Sequence, residues 1–242
     1  MDAQVFTAHF DLEDTHWWFR SKRRLVLSLL RRYGALAGPG LDVGCGAGGT
    51  LAVLAAQGSW VGVDADSAAL GLSRRRGLAN LAGSVAEALP FREGAFAACL
   101  CLDLLYHRNV VSEEGALREC HRVLRAGGIL LVTDSAFNWL RSAHDEAVHG
   151  ARRYTRRELV ARVRAAGFTP ILASYAYCLV FPAVAAVRLA RRGTAGGSDV
   201  FPVPRPLNAA LLGVQAVERA LLRVGPLPFG SSVVLVARKA VA

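Results

Sequence analysis

Leu41-Asp42-Val43-Gly44-Cys45-Gly46-Ala47-Gly48-Gly49-Thr50 is the stretch from which the rest of this 242-residue chain can be read. An apolar run enters a glycine-rich turn, and a helical pattern follows at once. Glycine lacks a side chain that would obstruct a ligand, and it tolerates positive φ. The spacing therefore predicts a strand whose carboxyl end opens into a turn that brings backbone close to a bound molecule.

Outward from that turn the pattern alternates. The first strand is predicted at Leu41 to Val43 and its helix at Thr50 to Gln57. Trp60 to Asp64 reads as a second strand, with Ser67 as N-cap of a helix reaching Arg76. Leu78 to Leu81 suggests a short third strand. Phe96 to Leu102 is almost wholly apolar, as a central parallel strand buried on both faces should be. Ser112 to Leu124 carries helical spacing closed by Gly127-Gly128, before a fifth strand at Ile129 to Thr133. Beyond a polar stretch, Asp134 to Arg153, a helix from Thr155 to Gly167 has Glu158 at capping-box spacing. Ile171 to Ala176 reads as a strand, 193 to 206 as a Gly/Pro loop, Leu207 to Arg223 as a helix and Ser232 to Ala237 as a last strand. Strands alternating with helices give the fold class, α/β with an open sheet. A single domain is expected: an N-terminal helical lid over 1–38, a core over 39–135, and substrate-side helices and strands over 136–242.

Composition bounds the partners. Hydrophobic residues make up 53% and charged residues 20%, which argues against disorder. The net charge of +10 would suit nucleic acid or an anionic membrane. The arginines are scattered, however, in pairs and one triplet at Arg74 to Arg76, so nucleic acid is not favoured as partner. Five cysteines lack CxxC spacing, so no metal is predicted and reduced cytoplasmic thiols are the default. His9, Asp11, Glu13 and Asp14 interrupt any signal-peptide core. Thr169 to Val187 runs 19 residues without a charge, long enough to test for a span. Its two prolines favour a buried strand followed by an apolar helix that ends in Arg188 to Arg192, with peripheral membrane contact left open. A monomer and a homodimer are both compatible. His16-Trp17-Trp18-Phe19 is dense in aromatics, and it reads either as an anchor for the first helix or as a lid over the ligand.

Gly44-x-Gly46-x-x-Gly49 satisfies the dinucleotide fingerprint, and Asp64, 22 residues past Asp42, stands where an acid meets ribose hydroxyls. Taken alone this fits a nicotinamide-dependent oxidoreductase. Asp42, two residues before the first glycine, is ill suited to a pyrophosphate and better suited to a cationic group.

Asp-x-Gly-x-Gly-x-Gly over Asp42 to Gly48 resembles the first motif of the class I S-adenosylmethionine-dependent methyltransferases. The resemblance continues through Val63-Asp64, Ala86-Glu87-Ala88-Leu89-Pro90-Phe91, Leu100-Cys101-Leu102-Asp103, and Arg122-Val123-Leu124-Arg125-Ala126-Gly127-Gly128. It covers residues 40 to 135, and Ala151 to Phe168 resembles the Arg-Arg-Tyr-Thr helix of a bacterial, methyltransferase type 11-like branch whose members begin with a His-Trp-Trp-Phe-like segment. The resemblance implies a Rossmann-like, seven-stranded, mostly parallel sheet with an antiparallel last strand. It implies S-adenosyl-L-methionine as cofactor, with Asp42 and the backbone at Gly44, Cys45 and Gly46 facing the methionine portion, Asp64 accepting from both ribose hydroxyls, the backbone near Val85 and Ala86 meeting the adenine, and Ala65 and Leu102 completing the site. Val85 stands where many relatives place an acid for the adenine amino group, so Ser84 or a backbone carbonyl is expected to substitute.

Methyl transfer from a sulfonium needs placement first and a base only when the acceptor must lose a proton. His107, leaving the fourth strand, is the candidate base, because its free pKa lies near neutrality. Relatives commonly have an acid where Tyr106 stands. His144 and Tyr154 are candidates for the acceptor side, with His149 beside them and Arg152 or Arg153 as anion readers. The apolar helices at 178 to 190 and 207 to 222 suggest a small-molecule, apolar or lipid-like acceptor. The alternative is a nucleic-acid or protein acceptor met by the basic surface.

Overall fold

The computed structural model describes residues 10–190 and 200–241. Strand β1, Gly40–Val43, lies in the middle of a seven-stranded sheet and pairs in parallel with β2, Trp60–Asp64, on one side and β4, Phe96–Leu102, on the other. The remaining strands are β3, Leu81–Gly83; β5, Leu124–Ser135; β6, Phe168–Ala176; and β7, Ser232–Lys239. Their order is β3-β2-β1-β4-β5-β7-β6, with β7 antiparallel to both β5 and β6. The winding reverses between β1 and β4, which opens a crevice at their carboxyl ends. The expected mostly parallel sheet with an antiparallel last strand is thus the observed one.

The alternation of side chains along each strand builds two cores. Leu41, Val43, Cys99, Cys101, Leu130, Val132, Val233 and Leu235 point to one face, covered by α4, Glu113–Val123, and α6, Arg156–Ala165. Ala98, Leu100, Ile129, Leu131, Val234 and Val236 point to the other. There they meet α1, Trp17–Arg32; α2, Gly49–Ala55; α3, Ser67–Arg75; and α8, Arg205–Val224. Strands that bury both faces must be apolar throughout, which is why β4 shows no period of two. Helix α1 buries Leu25, Val26, Leu29 and Leu30 on a single stripe. Two further helices, α5, Ala143–Ala147, and α7, Phe181–Ala190, follow β5 and β6.

Several expected boundaries shift for identifiable reasons. Asp66, not Ser67, caps α3, its carboxylate accepting from the Ala68 amide at 2.8 Å. The third strand lies at Leu81–Gly83, in register with Gly62 to Asp64. Helix α4 ends at Val123 because Leu124 is already extended. Gly127 and Gly128 sit inside β5, where the pairing jumps from Phe96↔Leu124 to Ala98↔Ile129, so the glycines accommodate a bulge. The Thr155–Glu158 capping box forms as expected, with Glu158 accepting from the Thr155 amide at 2.7 Å. Among the described residues no helix is long and apolar enough to cross a membrane; the uncharged run divides into β6 and the ten-residue α7. Part of the expected loop at 193 to 206, and Arg191 and Arg192, lie outside the described residues.

Candidate functional site

The glycine turn is held from three directions. Val63 O accepts from the amides of Gly44 and Cys45 at 2.7 and 3.0 Å, which ties the turn to β2. Ser73 Oγ donates to Gly46 O at 2.9 Å and Arg76 Nε to Ala47 O at 2.9 Å, which ties it to α3 and the residue just after it. Gly44 has φ +75° and a Cβ there would lie 2.7 Å from Leu104 Cδ1, so both conformation and space demand glycine. Gly46 has φ +56° but open space around it, so there the backbone alone makes the demand.

Asp64 ends β2 and closes the turn. One carboxylate oxygen accepts from the Gly46 amide at 2.8 Å and the other from the Asp66 amide at 2.9 Å. Burial raises its carboxyl above the usual range, opposed by these amide bonds. Asp42 lies beneath the turn at 2% exposure. Burial pushes its carboxyl up to about 7, reinforced by the charges of Asp64 and Glu13 and opposed by Lys22.

A cleft of about 490 Å³ opens above these residues, within the ~300–1,000 Å³ usual for small-molecule sites. Of the residues expected there, Gly44, Gly46, Asp64, Ala65, Val85, Ala86 and His107 line it. Asp42, Cys45, Leu102, His144 and Tyr154 are not among its lining residues. Ser84 lines it too, and its hydroxyl donates to Ala88 O at 2.5 Å, which leaves the oxygen able to accept from a ligand amino group. Glu87 reaches the wall, but its carboxylate accepts from the Val111 and Ser112 amides at 2.7 and 3.1 Å and so holds the start of α4.

His107 leaves β4 in the turn after Asp103. Its Nδ1 accepts from the Asn109 amide at 3.2 Å, and its backbone forms a bridge with Gly150. Burial pushes the imidazole down to about 4, helped by nearby positive charge including His149, whose ring centroid is 5.8 Å away. It is therefore neutral at pH 7, able to accept a proton but weakly basic. Tyr106 lines the cleft with its phenol pushed upward by burial, so it remains a neutral hydroxyl.

The second polar constellation is bracing. Arg153 and Asp145, 2% and 3% exposed, form a forked ion pair at 2.8 and 2.9 Å, and Arg153 also reaches Ala136 O. Arg152 donates to Leu105 O and Val110 O at 3.1 Å and pairs with Glu113 at 2.9 Å. Tyr154 is 2% exposed, with its hydroxyl on Leu105 O at 3.0 Å. The expected anion readers and the expected acceptor-side tyrosine are thus engaged by backbone and carboxylates that shape the loops around the cleft.

Sequence reasoning missed a set of charges packed under and beside the cleft. Lys22 of α1 pairs with Asp103, lies 3.6 Å over the Trp18 ring, and is pushed down to about 7 by burial despite Glu13, Asp134 and Asp42 nearby. Arg76 reaches Glu13 at 2.9 Å, Asp14 at 2.8 Å and Phe10 O at 3.0 Å, so the N-terminal segment is strapped against the turn. Trp17 and Trp18 pack instead on Tyr177, and the Trp17 amide donates to Asn208 Oδ1 at 2.7 Å, as an anchor should. Only the triplet at Arg74 to Arg76 hinted at Arg76; nothing in local spacing pointed to Lys22. Cys99, Cys101 and Cys120 bring three buried sulfurs within 4.8 Å, a donor set that spacing alone did not suggest. All three are 0% exposed inside the apolar core, and packing accounts for them.

Residues 41–132 match the model of a methyltransferase domain family, from the first residue of β1's apolar run to the middle of β5. That stretch of the chain carries a methyltransferase domain. A demethylmenaquinone methyltransferase of Mycobacterium marinum is 36% identical over 126 residues, 50% of this chain and 49% of that protein. A tRNA (carboxymethyluridine(34)-5-O)-methyltransferase of Xenopus tropicalis is 34% identical over 102 residues, 38% of this chain and 14% of that protein. The chain thus spans at most about half the length of these relatives. Among solved structures, an S-adenosylmethionine-dependent methyltransferase of Thermotoga maritima, a possible histamine N-methyltransferase, superposes with TM-score 0.65 at 20% identity, covering 98% of this chain and 95% of that one. The [4+2]-cyclase SpnF gives 0.62 at 24% identity over 93% and 84%. These likenesses show the fold of the methyltransferase domain.

The cofactor of this domain family is S-adenosylmethionine. The cleft fits it: a paired carboxylate at the end of β2, a turn whose glycines admit backbone approach, and a volume suited to a nucleoside.

Proposed function

We propose that this chain transfers a methyl group from S-adenosylmethionine to a small apolar or lipid-like acceptor. The observation that carries the reading is the cleft at the reversal between β1 and β4, with the glycine turn on one wall and Asp64 on another. When bound, the cofactor supplies a methyl group on a sulfonium, an electrophile with a good leaving group. In this reading the Asp64 carboxylate accepts from both ribose hydroxyls with the lone pairs its two amide bonds leave over. The Gly44 and Gly46 backbone takes the methionine portion, Asp42 lends negative charge from below, and Ser84 Oγ or a carbonyl beside Val85 takes the adenine amino group. Cys45 and Leu102 support that wall from behind.

The acceptor side is assigned to His107. A neutral imidazole pushed down to about 4 can orient an acceptor by a hydrogen bond or take a proton that is leaving anyway, but it is too weak to strip one from an alcohol. Acceleration would then come chiefly from alignment of donor and acceptor. Tyr154, through Leu105 O, and His144, on α5, serve in this reading to shape that side. The Mycobacterium demethylmenaquinone methyltransferase, by its name an enzyme of an apolar acceptor, supports the choice of acceptor class.

A second reading, transfer to RNA, is favoured by the net charge of +10 together with the Xenopus tRNA methyltransferase. Calorimetry with S-adenosylmethionine and its demethylated product tests the first element; binding of NAD with no response to either would refute it. A screen of cell-extract fractions with labelled methyl donor, read by mass spectrometry, identifies the acceptor. Salt-steep RNA binding would move the assignment to the second reading.

A further inference from the structure

Helix α7, Phe181–Ala190, does not follow the pattern of a helix on the surface of a water-soluble protein. Only Ala185 is buried, with Phe181, Val184 and Arg188 half-buried on the same stripe. The opposite face carries Pro182, Ala183, Ala186, Val187, Leu189 and Ala190, all exposed and none polar. A helix facing water should present charged residues there. Val187 and Leu189 are 48% and 45% exposed, and Leu179 and Phe229 are 46% and 42% exposed. The Phe181 ring joins these parts, 5.9 Å from Trp139 and 5.5 Å from Phe229. Exposed apolar side chains gathered in this way mark an interaction surface.

The charge of the sequence that follows this helix selects the partner. Arg188 itself turns inward to donate to Leu140 O at 3.2 Å, but from Phe168 to Val217 the sequence also holds Arg191, Arg192 and Arg205 against the single acid Asp199. An apolar helix followed in sequence by arginines matches the two layers of an anionic bilayer surface, acyl chains below and phosphates above. A helix of ten residues can lie in that interface but cannot span it.

Topology places the patch where it would matter. β5 and β6 run parallel to β1, and β7 runs against them. Phe137 and Trp139 follow the end of β5, α7 follows the end of β6, and Phe229 precedes the start of β7. All therefore stand on the carboxyl-terminal edge of the sheet, the edge that holds the cleft.

We propose that α7 and its aromatic neighbours seat the protein on an anionic phospholipid surface, with the cleft-bearing edge turned toward the membrane. This deepens the apolar-acceptor reading by giving such a molecule a route from bilayer to cleft. Docking needs no cofactor, so the two readings can fail separately.

The test is cosedimentation of the full chain, without cofactor, with vesicles of phosphatidylcholine alone and of phosphatidylcholine with phosphatidylglycerol. Binding is expected with the phosphatidylglycerol vesicles. The double substitution Val187→Asp, Leu189→Asp should lower the partition constant at least about tenfold, since two carboxylates would have to enter the interface. Its melting temperature should stay near that of the parent, because both side chains already face outward. Val241→Asp, on the opposite edge at the end of β7, adds a carboxylate without touching the patch and should leave binding unchanged. Binding by the double variant equal to the parent, or no binding of the parent to either vesicle, overturns the proposal. So does a dimer in light scattering that the double variant abolishes while no vesicle binding is seen, since the patch would then belong to a second copy.

Discussion

Replacing Asp64 by Ala perturbs both the turn and the bound cofactor, and the two effects can be separated. In the free protein its oxygens accept from the Gly46 and Asp66 amides at 2.8 and 2.9 Å. Losing them should destabilise the fold by about 1–3 kcal/mol, partly offset because a carboxylate raised by burial is no longer held in the cleft. In a chain of this length that is a fall of roughly 2–10 °C in Tm. In the complex, the two ribose hydroxyls lose a charged acceptor, at about 1.5–3 kcal/mol together. That corresponds to a Kd raised roughly 10- to 140-fold. Asp64→Asn keeps one acceptor oxygen and should fall between Ala and the parent on both scales. Calorimetric titration with the demethylated cofactor product gives Kd, and thermal unfolding without ligand gives Tm. A Kd within twofold of the parent, combined with the expected drop in Tm, would refute the ribose assignment and leave Asp64 as a brace of the glycine turn.

Three further outcomes follow from the geometry. His107 has a folded pKa of about 4 against a free value near 6.5, so the folded state keeps it neutral across that window; its contribution to stability is present above pH 6.5 and is lost as pH falls toward 4. Turnover that depends on neutral His107 should accordingly stay flat from pH 8 to about 5, and an inflection near 6.5 that disappears in His107→Ala would contradict the buried environment. Asp145→Ala leaves the Arg153 guanidinium buried without its carboxylate and should cost about 3–5 kcal/mol, a Tm fall of at least ~6 °C in differential scanning calorimetry. Adding Arg153→Met should recover most of that loss; no recovery would mean that the pair is not the source of it. Arg76→Ala cuts the links from the turn's Ala47 carbonyl to Phe10, Glu13 and Asp14, so amide hydrogen exchange should quicken at residues 10–16 and 46–49 together. Acceleration in only one of the two segments would show that they are not strapped to each other.

Elements whose signal is local were legible from the chain. β2 and β4 fall where an apolar run bounded by polar turns placed them, and the Thr155–Glu158 box forms because both partners lie within one helical turn. Errors arose where tertiary pairing decided. Leu78 is as apolar as Leu81, but register with Gly62 selects Leu81–Gly83 as the edge strand. Gly127-Gly128 has the composition of a helix stop, yet β4 offers Leu124 a pairing partner at Phe96, so the strand begins first and the glycines become its bulge. Asp66 and Ser67 are both good caps, and the Asp66 carboxylate reaching the Ala68 amide decides between them.

The site divides in the same way, and Asp42 shows why. Its spacing before the glycines points to a cationic group on the ligand. In the fold a positive charge of the protein's own lies within its field: Lys22, twenty residues upstream, comes over β1 on α1 and pairs with Asp103 at the end of β4. No local pattern reports that meeting, because α1 and β4 are brought together only by burying Leu25, Val26, Leu29 and Leu30 against the sheet. The consequence is a layer of coupled charges, Lys22, Asp42, Asp103 and Asp134, directly behind a cleft suited to a cationic cofactor. Negative groups outnumber the single ammonium there, and burial strains them toward neutrality, lifting Asp42 to about 7 and Asp134 well above its usual range. A sulfonium entering above this layer would favour the ionised form of carboxyls that burial alone holds near neutrality, whereas a pyrophosphate would oppose their ionisation. The glycine spacing admits both ligands; the charge behind it favours the cation.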